Sequence, residues 1–174
     1  MNNKTIGIIG GMGPEASVHL YSFLIRHAQK YYGITKNDEF PSIYLASIPV
    51  PDFIRNEEKE EDALKLLLGK MKEMEILDIS FYCMACNTGH LLIDNLRAVT
   101  SRPFVSLLEE VPIYLKKKKI KKIGLLATPT TIKTKLYEKP LNDSRVSHYP
   151  LSDSPSRSPC LAGQPAGRHG RQAR

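Results

Sequence analysis

Short apolar runs alternate with longer segments of helical period along most of this chain, and few folds accept that order. TIGIIG at 5–10, SIYLASI at 42–48, DISFYCM at 78–84, PFVSL at 103–107 and KIGLLAT at 122–128 have the length and composition of strands. Between the first two, 14–32 reads as a helix, with Pro14 in a tolerated first-turn position and Val18, Leu20, Tyr21, Leu24 and Ile25 as its apolar side. The segment 57–76 is a charged amphipathic helix in which Leu64, Leu67, Leu68, Met71 and Met74 recur at three and four residues. Helices over 88–99 and 109–119 complete the alternation, and TPTTIKTKLYEK opens another. Helices that carry the chain between strands of one sheet make the strands parallel. The expected class is therefore α/β, a doubly wound, Rossmann-like parallel sheet.

In that class ligands lie outside the carboxyl ends of the strands. The first, third and fifth strands here end in GGMGP, CNTGH and ATPTT, so three polar loops are expected to converge on one crevice. The loop GGMGPEA at 10–16 opens a helix, where backbone amides attract anions. Gly11, Gly13 and Ala16 match a loose dinucleotide fingerprint. That fingerprint also needs an acid at the end of the second strand, and here the strand ends in ASIPVP, with Asp52 late and beyond two prolines. A loop that lets a small carboxylate approach is the preferred reading, beside one in which the glycines only turn the chain.

Cys86 stands where the next helix opens, a position whose amides are expected to lower the thiol pKa and supply a thiolate near neutral pH. The C-x-x-C pair of Cys83 and Cys86 also admits a redox couple or half a zinc site. Zinc would need two further ligands, which His90 and the remote Cys160 supply poorly. Cys83 lies within the strand and reads as a small core residue.

The net charge of +7 raises the matter of an anionic partner. The excess sits in KKKKIKK, from Lys116 to Lys122, and in five arginines after position 140. No aromatic side chains are interleaved with the lysines to stack on bases, so the run reads as the solvated end of a helix. Composition also changes along the chain. The first 140 residues hold 16 Lys and 4 Arg, whereas the last 34 hold no Lys, 5 Arg and 13 Ser, Pro and Gly. The expected organisation is an α/β domain over 1–115, the start of a second over 116–140, and a disordered or foreign tail over 141–174.

TIGIIGGMGPEAS, CNTGH and KKIGLLATPTTI together resemble the aspartate/glutamate racemase family, which works without pyridoxal phosphate, over about residues 4–140. The resemblance implies two pseudo-symmetric α/β domains with a cleft between them, the second incomplete here. It implies that each domain contributes a cysteine, one removing the α-proton of an amino acid as the other protonates the opposite face. The first of these maps onto Cys86. Asn87, Thr88, Thr128, Thr130 and Thr131, with Gly11 and Gly13, would hold carboxylates, and Met12 would line the pocket. No cofactor and no metal are implied. The chain departs from the family in three places. It has no G-C-T-E motif for the second cysteine, Phe53 follows Pro51 and Asp52 where some aspartate-acting members carry arginine, leaving Arg55 as the candidate partner of a side-chain carboxylate, and Gly89 replaces the alanine of the common CNTAH form.

The expected activity is a racemase for aspartate or glutamate, incomplete for want of a second thiol. A one-cysteine decarboxylase or isomerase of small diacids, and a non-catalytic carboxylate-binding remnant, are the alternatives. The expected partner is an acidic amino acid, with a homodimer as the assembly and neither nucleic acid nor membrane. Three cysteines form no even disulfide framework, and MNNKTIGIIGG has no signal-peptide pattern, so a reducing cytoplasm is the expected compartment.

Overall fold

A computed structural model describes residues 4–53 and 56–150. Strands β1 (Ile6–Gly10), β2 (Ile43–Ser47), β3 (Phe81–Met84) and β4 (Phe104–Val105) form one parallel sheet in the order β2-β1-β3-β4. β1 is buried along its whole length, as its continuous apolar run requires of a strand covered on both faces.

Helix α1 (Pro14–Tyr32) covers one face, where Leu20 and Leu24 pack with Ile6, Ile8 and Ala85. Helices α2 (Glu60–Met74) and α3 (Ile93–Arg97) cover the other, through Ala63, Leu67, Met71, Met74, Ile93 and Leu96. The doubly wound α/β class expected from the alternation is the one observed.

α1 seats differently from its expected apolar side. Ser17 and Ala28 are its buried residues, whereas Val18 and Tyr21 remain 65% and 45% exposed. Residues 17, 20, 24 and 28 share a face at 3.6 residues per turn, and small side chains there let the helix lie close to the sheet. The expected helix over 88–99 opens as a 3-10 turn, Thr88–Leu92, before α3.

Helix α4 (Leu107–Lys117) begins at Ser106, whose Oγ accepts from the Leu108 amide at 3.2 Å, and leads to a second lobe. There β5 (Lys122–Leu125) is followed by α5 (Pro129–Lys133), α6 (Glu138–Asp143) and β6 (Ser147–Pro150), which pairs with β5 in parallel. The tail expected from residue 141 therefore differs from the structure over 141–150. Leu141 is fully buried and Val146 is 2% exposed, packed with Leu115 and Tyr137. Two well-placed apolar side chains suffice to anchor a strand to an existing edge, and average composition over 34 residues hides them. Cys160 and the rest of the tail, with Arg55, lie outside the described residues. Among the described residues no helix is long and apolar enough to cross a membrane.

Candidate active site

The strand order reverses between β1 and β3, so the loops after these strands flank the point at which a doubly wound sheet leaves a crevice. The first loop is held by side chain and backbone. Gly11 has φ 89°, and its amide donates to Ser17 Oγ at 3.0 Å. Ser17 was not singled out by the sequence. Its use of the Gly11 amide leaves Met12 and Gly13 as the loop's candidates for holding an anion. Gly11, Met12 and Gly13 line a cavity of about 390 Å³ together with Val50, Pro51, Asp52, Phe53 and Thr128. Larger cavities lie elsewhere, of about 550 Å³ against the β5–β6 sheet and about 680 Å³ between His90 and Ser144, away from the glycine loop. Phe53, at the position of the family's arginine, is 2% exposed and belongs to the main core.

The loop after β3 brings the chemistry. Cys86 is 7% exposed and packs in the same cluster as Met12, whereas Cys83 packs on the α1 side with Ile6 and Ile8. The two thiols therefore belong to opposite faces of the sheet. Both are free. Burial pushes Cys83 up to about 11.

Cys86 corrects the expectation of a lowered pKa. Burial, the largest influence, raises it, and the amides of Gly89 and Thr88 pull it down without reversing that. The Gly89 amide donates to Cys86 Sγ at 3.3 Å. A five-residue 3-10 turn offers a weaker field than a full α-helix, and desolvation of a thiolate outweighs it. A Cβ at Gly89 would stand 2.6 Å from Met84 Sδ, the movable end of a flexible side chain, and 3.2 Å from Cys86 Sγ, so alanine there would require small shifts of both sulfurs.

Two hydroxyls of the second lobe, on Thr128 and Thr131, meet that of Thr88 in the cysteine loop. Thr88 Oγ1 lies 3.0 Å from both Thr128 Oγ1 and Thr131 Oγ1, which are 3.1 Å from each other. Thr128 also caps α5, its Oγ1 accepting from the Thr131 amide at 3.3 Å. The hydroxyls bond one another, and each can turn its proton toward an anion. Thr130 is half-buried, and its carbonyl accepts from Thr134 Oγ1 at 2.8 Å. Asn87 is exposed and accepts from the Tyr137 hydroxyl at 2.6 Å.

His90, considered in the sequence only as a poor metal ligand, braces the cysteine loop. Its Nε2 accepts from the Leu107 amide at 3.1 Å, which leaves Nδ1 protonated to donate to the Cys86 carbonyl at 2.7 Å. The ring is 2% exposed, and burial lowers its pKa. The unfolded chain therefore binds the extra proton more readily than the native one. Stability contributed by neutral His90 is present above the ordinary imidazole value near 6.5 and is lost as pH falls below it. Urea unfolding between about pH 7 and 5 should show a slope of up to about 1.4 kcal/mol per pH unit. That slope should flatten in His90→Gln; an unchanged slope would mean that other groups carry it.

A doubly wound sheet with a buried thiol and a hydroxyl cluster near its switch point places the chain among α/β proteins with a polar site at the carboxyl ends of the strands. The chain belongs to the Asp/Glu/Hydantoin racemase family, whose model matches residues 9–155. It is 28% identical over 145 residues to the broad-specificity amino-acid racemase RacX of Bacillus subtilis (strain 168), a match covering 82% of this chain and 63% of that protein. An aspartate racemase homologue from Pyrococcus horikoshii OT3 superposes with a TM-score of 0.73 at 29% identity, over 86% of this chain and 65% of that one. The aspartate racemase of Picrophilus torridus gives 0.74 at 28% identity, over 84% and 62%. The chain thus spans less than two thirds of the length of each of these relatives.

Proposed function

We propose that this chain forms the first-thiol side of a cofactor-independent racemase centre for an acidic amino acid, with aspartate the first substrate to test. The observation that carries the reading is the placement of Cys86 at the β1/β3 crevice beside the Thr88–Thr128–Thr131 hydroxyls. The hydroxyls and the amides of Met12 and Gly13 would take the carboxylates, and Cys86 would exchange the α-proton. Similarity to racemases of the same family supports this assignment.

The raised pKa of Cys86 shapes the mechanism. The free protein holds a thiol, not a thiolate. An amino acid brings its own α-ammonium into the crevice, and a cation within roughly 4–6 Å lowers the pKa of an anionic group by about 1–3 units. Base formation is then coupled to substrate binding. Position and desolvation make the buried sulfur an effective base once charged. Racemisation also needs an acid on the opposite face, and among the described residues Cys83 does not serve, since it packs on the other side of the sheet. Exchange without inversion is the behaviour this half-centre supports. That single thiol at the crevice also favours the second reading, a decarboxylase or isomerase of a small diacid, which needs one proton donor.

Incubation with L- and D-aspartate in deuterated water distinguishes these readings by mass and chiral chromatography. Deuterium should enter the α-position of one enantiomer, and its rate at low substrate should climb by up to about tenfold per unit between roughly pH 7 and 9 as thiolate forms. Rapid interconversion of enantiomers would show a second acid at work. Turnover of malonate-type diacids without exchange into aspartate would favour the second reading. Two free thiols suit a reducing cytoplasm, and the exposed Tyr44 and Leu45 of edge strand β2 suit a homodimer, which light scattering would detect.

A further inference from the structure

Tyr137 lies outside every motif that marks the crevice. Its residue is 6% exposed and packs with Leu115, Leu141 and Val146 in the second lobe. The hydroxyl nevertheless reaches out of that cluster and donates to Asn87 Oδ1 at 2.6 Å, bridging residues 50 apart in the chain. Burial raises the phenol's pKa, so it remains a donor at any physiological pH.

A carboxamide has one accepting end and one donating end, and nothing in its own shape decides which faces a ligand. Here the phenol takes the oxygen. The end left over is Nδ2 with its two N–H donors, on an exposed side chain between Cys86 and Thr88. Were the amide rotated, the end left over would be its oxygen, which repels a carboxylate. The ring of Tyr137 is fixed by packing on the second lobe, so the direction of the amide is set from across the junction rather than by the cysteine loop itself.

We infer that Tyr137 is a positioning residue that orients the Asn87 amide, so that its N–H donors meet an anionic oxygen of the ligand. The inference rests on the reading of the crevice as an acidic amino-acid site and names a determinant of that site. Tyr137 touches no ligand in this scheme. It acts through Asn87, and its effect vanishes when Asn87 cannot respond.

Calorimetric titration of the full chain with L- and D-aspartate tests the coupling. Tyr137→Phe keeps the packed ring and removes the hydroxyl. It should weaken binding of the preferred enantiomer by about three- to tenfold, the worth of one ordinary hydrogen bond. Asn87→Ala should weaken it at least as much, and the double variant no further than Asn87→Ala alone. Asn87→Asp supplies a check independent of the tyrosine. It keeps an acceptor for the phenol but removes both donors, so it should lose at least tenfold in affinity while melting near the wild-type temperature. Additive losses from Tyr137→Phe and Asn87→Ala, or wild-type affinity in Tyr137→Phe, would overturn the positioning role alone. A wild-type chain that binds neither enantiomer would overturn the acidic amino-acid reading, and this inference with it.

Discussion

Cys86→Ala is expected to stop incorporation of deuterium into aspartate, with a loss on the order of 10²–10⁴-fold, the range that a positioned acid–base group contributes. Cys86 is the candidate carbon base of the β3 loop, because both ring nitrogens of His90 are held by backbone groups and the hydroxyls of Thr88 and, after β5, of Thr128 and Thr131 ionise far too weakly. The variant should still fold. Removing one sulfur from a site 7% exposed leaves a small void beside Met84 and Leu92, a modest cost compared with deletion of a large aliphatic side chain. Cys83→Ala is the matched control. It removes the same atoms from the α1 face of the sheet and should leave exchange at the wild-type rate. Equal losses in both variants would point to general destabilisation, and exchange persisting in Cys86→Ala would remove the base from the proposed mechanism.

Gly11→Ala should be strongly destabilising, because at this glycine both the backbone conformation and the surrounding backbone oppose a side chain. The backbone there has φ 89°, where a side chain costs roughly 1–2 kcal/mol. The added Cβ would also run into the backbone of Ile48, against the amide nitrogen and at 2.6 Å from its carbonyl oxygen. Backbone cannot rotate away as a side-chain tip can. Ile48 is moreover tied to β1 by its amide, which donates to the Gly10 carbonyl at 3.0 Å. Overpacking of this kind adds about 1–3 kcal/mol, so a total loss of about 2–5 kcal/mol is expected in urea unfolding. The damage is local to the cavity, since the segment after Ile48 forms its opposite wall. Aspartate affinity should fall with stability. Wild-type stability in Gly11→Ala would mean that the loop yields where the structure shows it clamped.

Both variants act on features that the sequence marks differently. The glycines of GGMGPEA and the cysteine of CNTGH stand out as residue types, at the ends of runs that periodicity alone assigns to strands. Val18 and Tyr21 show the limit of that periodicity: they fall on the apolar side of α1 as a pattern, yet the helix settles on Ser17 and Ala28, because close approach to the sheet favours small side chains. Residues 141–150 show another limit. Their composition resembles a tail, but Leu141 and Val146 find a ready-made core under β5.

The chemistry of the site was legible as a set of residues and not as a set of contacts. CNTGH and ATPTT announce themselves, but nothing in either motif says that Thr88, Thr128 and Thr131 meet in a triangle, or that His90 bonds two backbones at once. Tyr137 carried no sequence signal, being one aromatic residue in an amphipathic segment. Phe53 did carry one, as an apolar residue directly after Pro51 and Asp52, and its burial shows that the position serves the core.

The sequence by itself determined the alternation of helices and strands through β5 and the polar loops after β1, β3 and β5, because these follow from periodicities local to each segment, whereas β6 and the division into two sheets came from tertiary packing. Only the tertiary structure decided the ionisation of Cys86 and the hydrogen bonds that join the lobes. Desolvation depends on everything packed around an atom, whatever its place in the chain. A thiol beside two amides reads as activated in one dimension, and in three its burial raises the pKa instead.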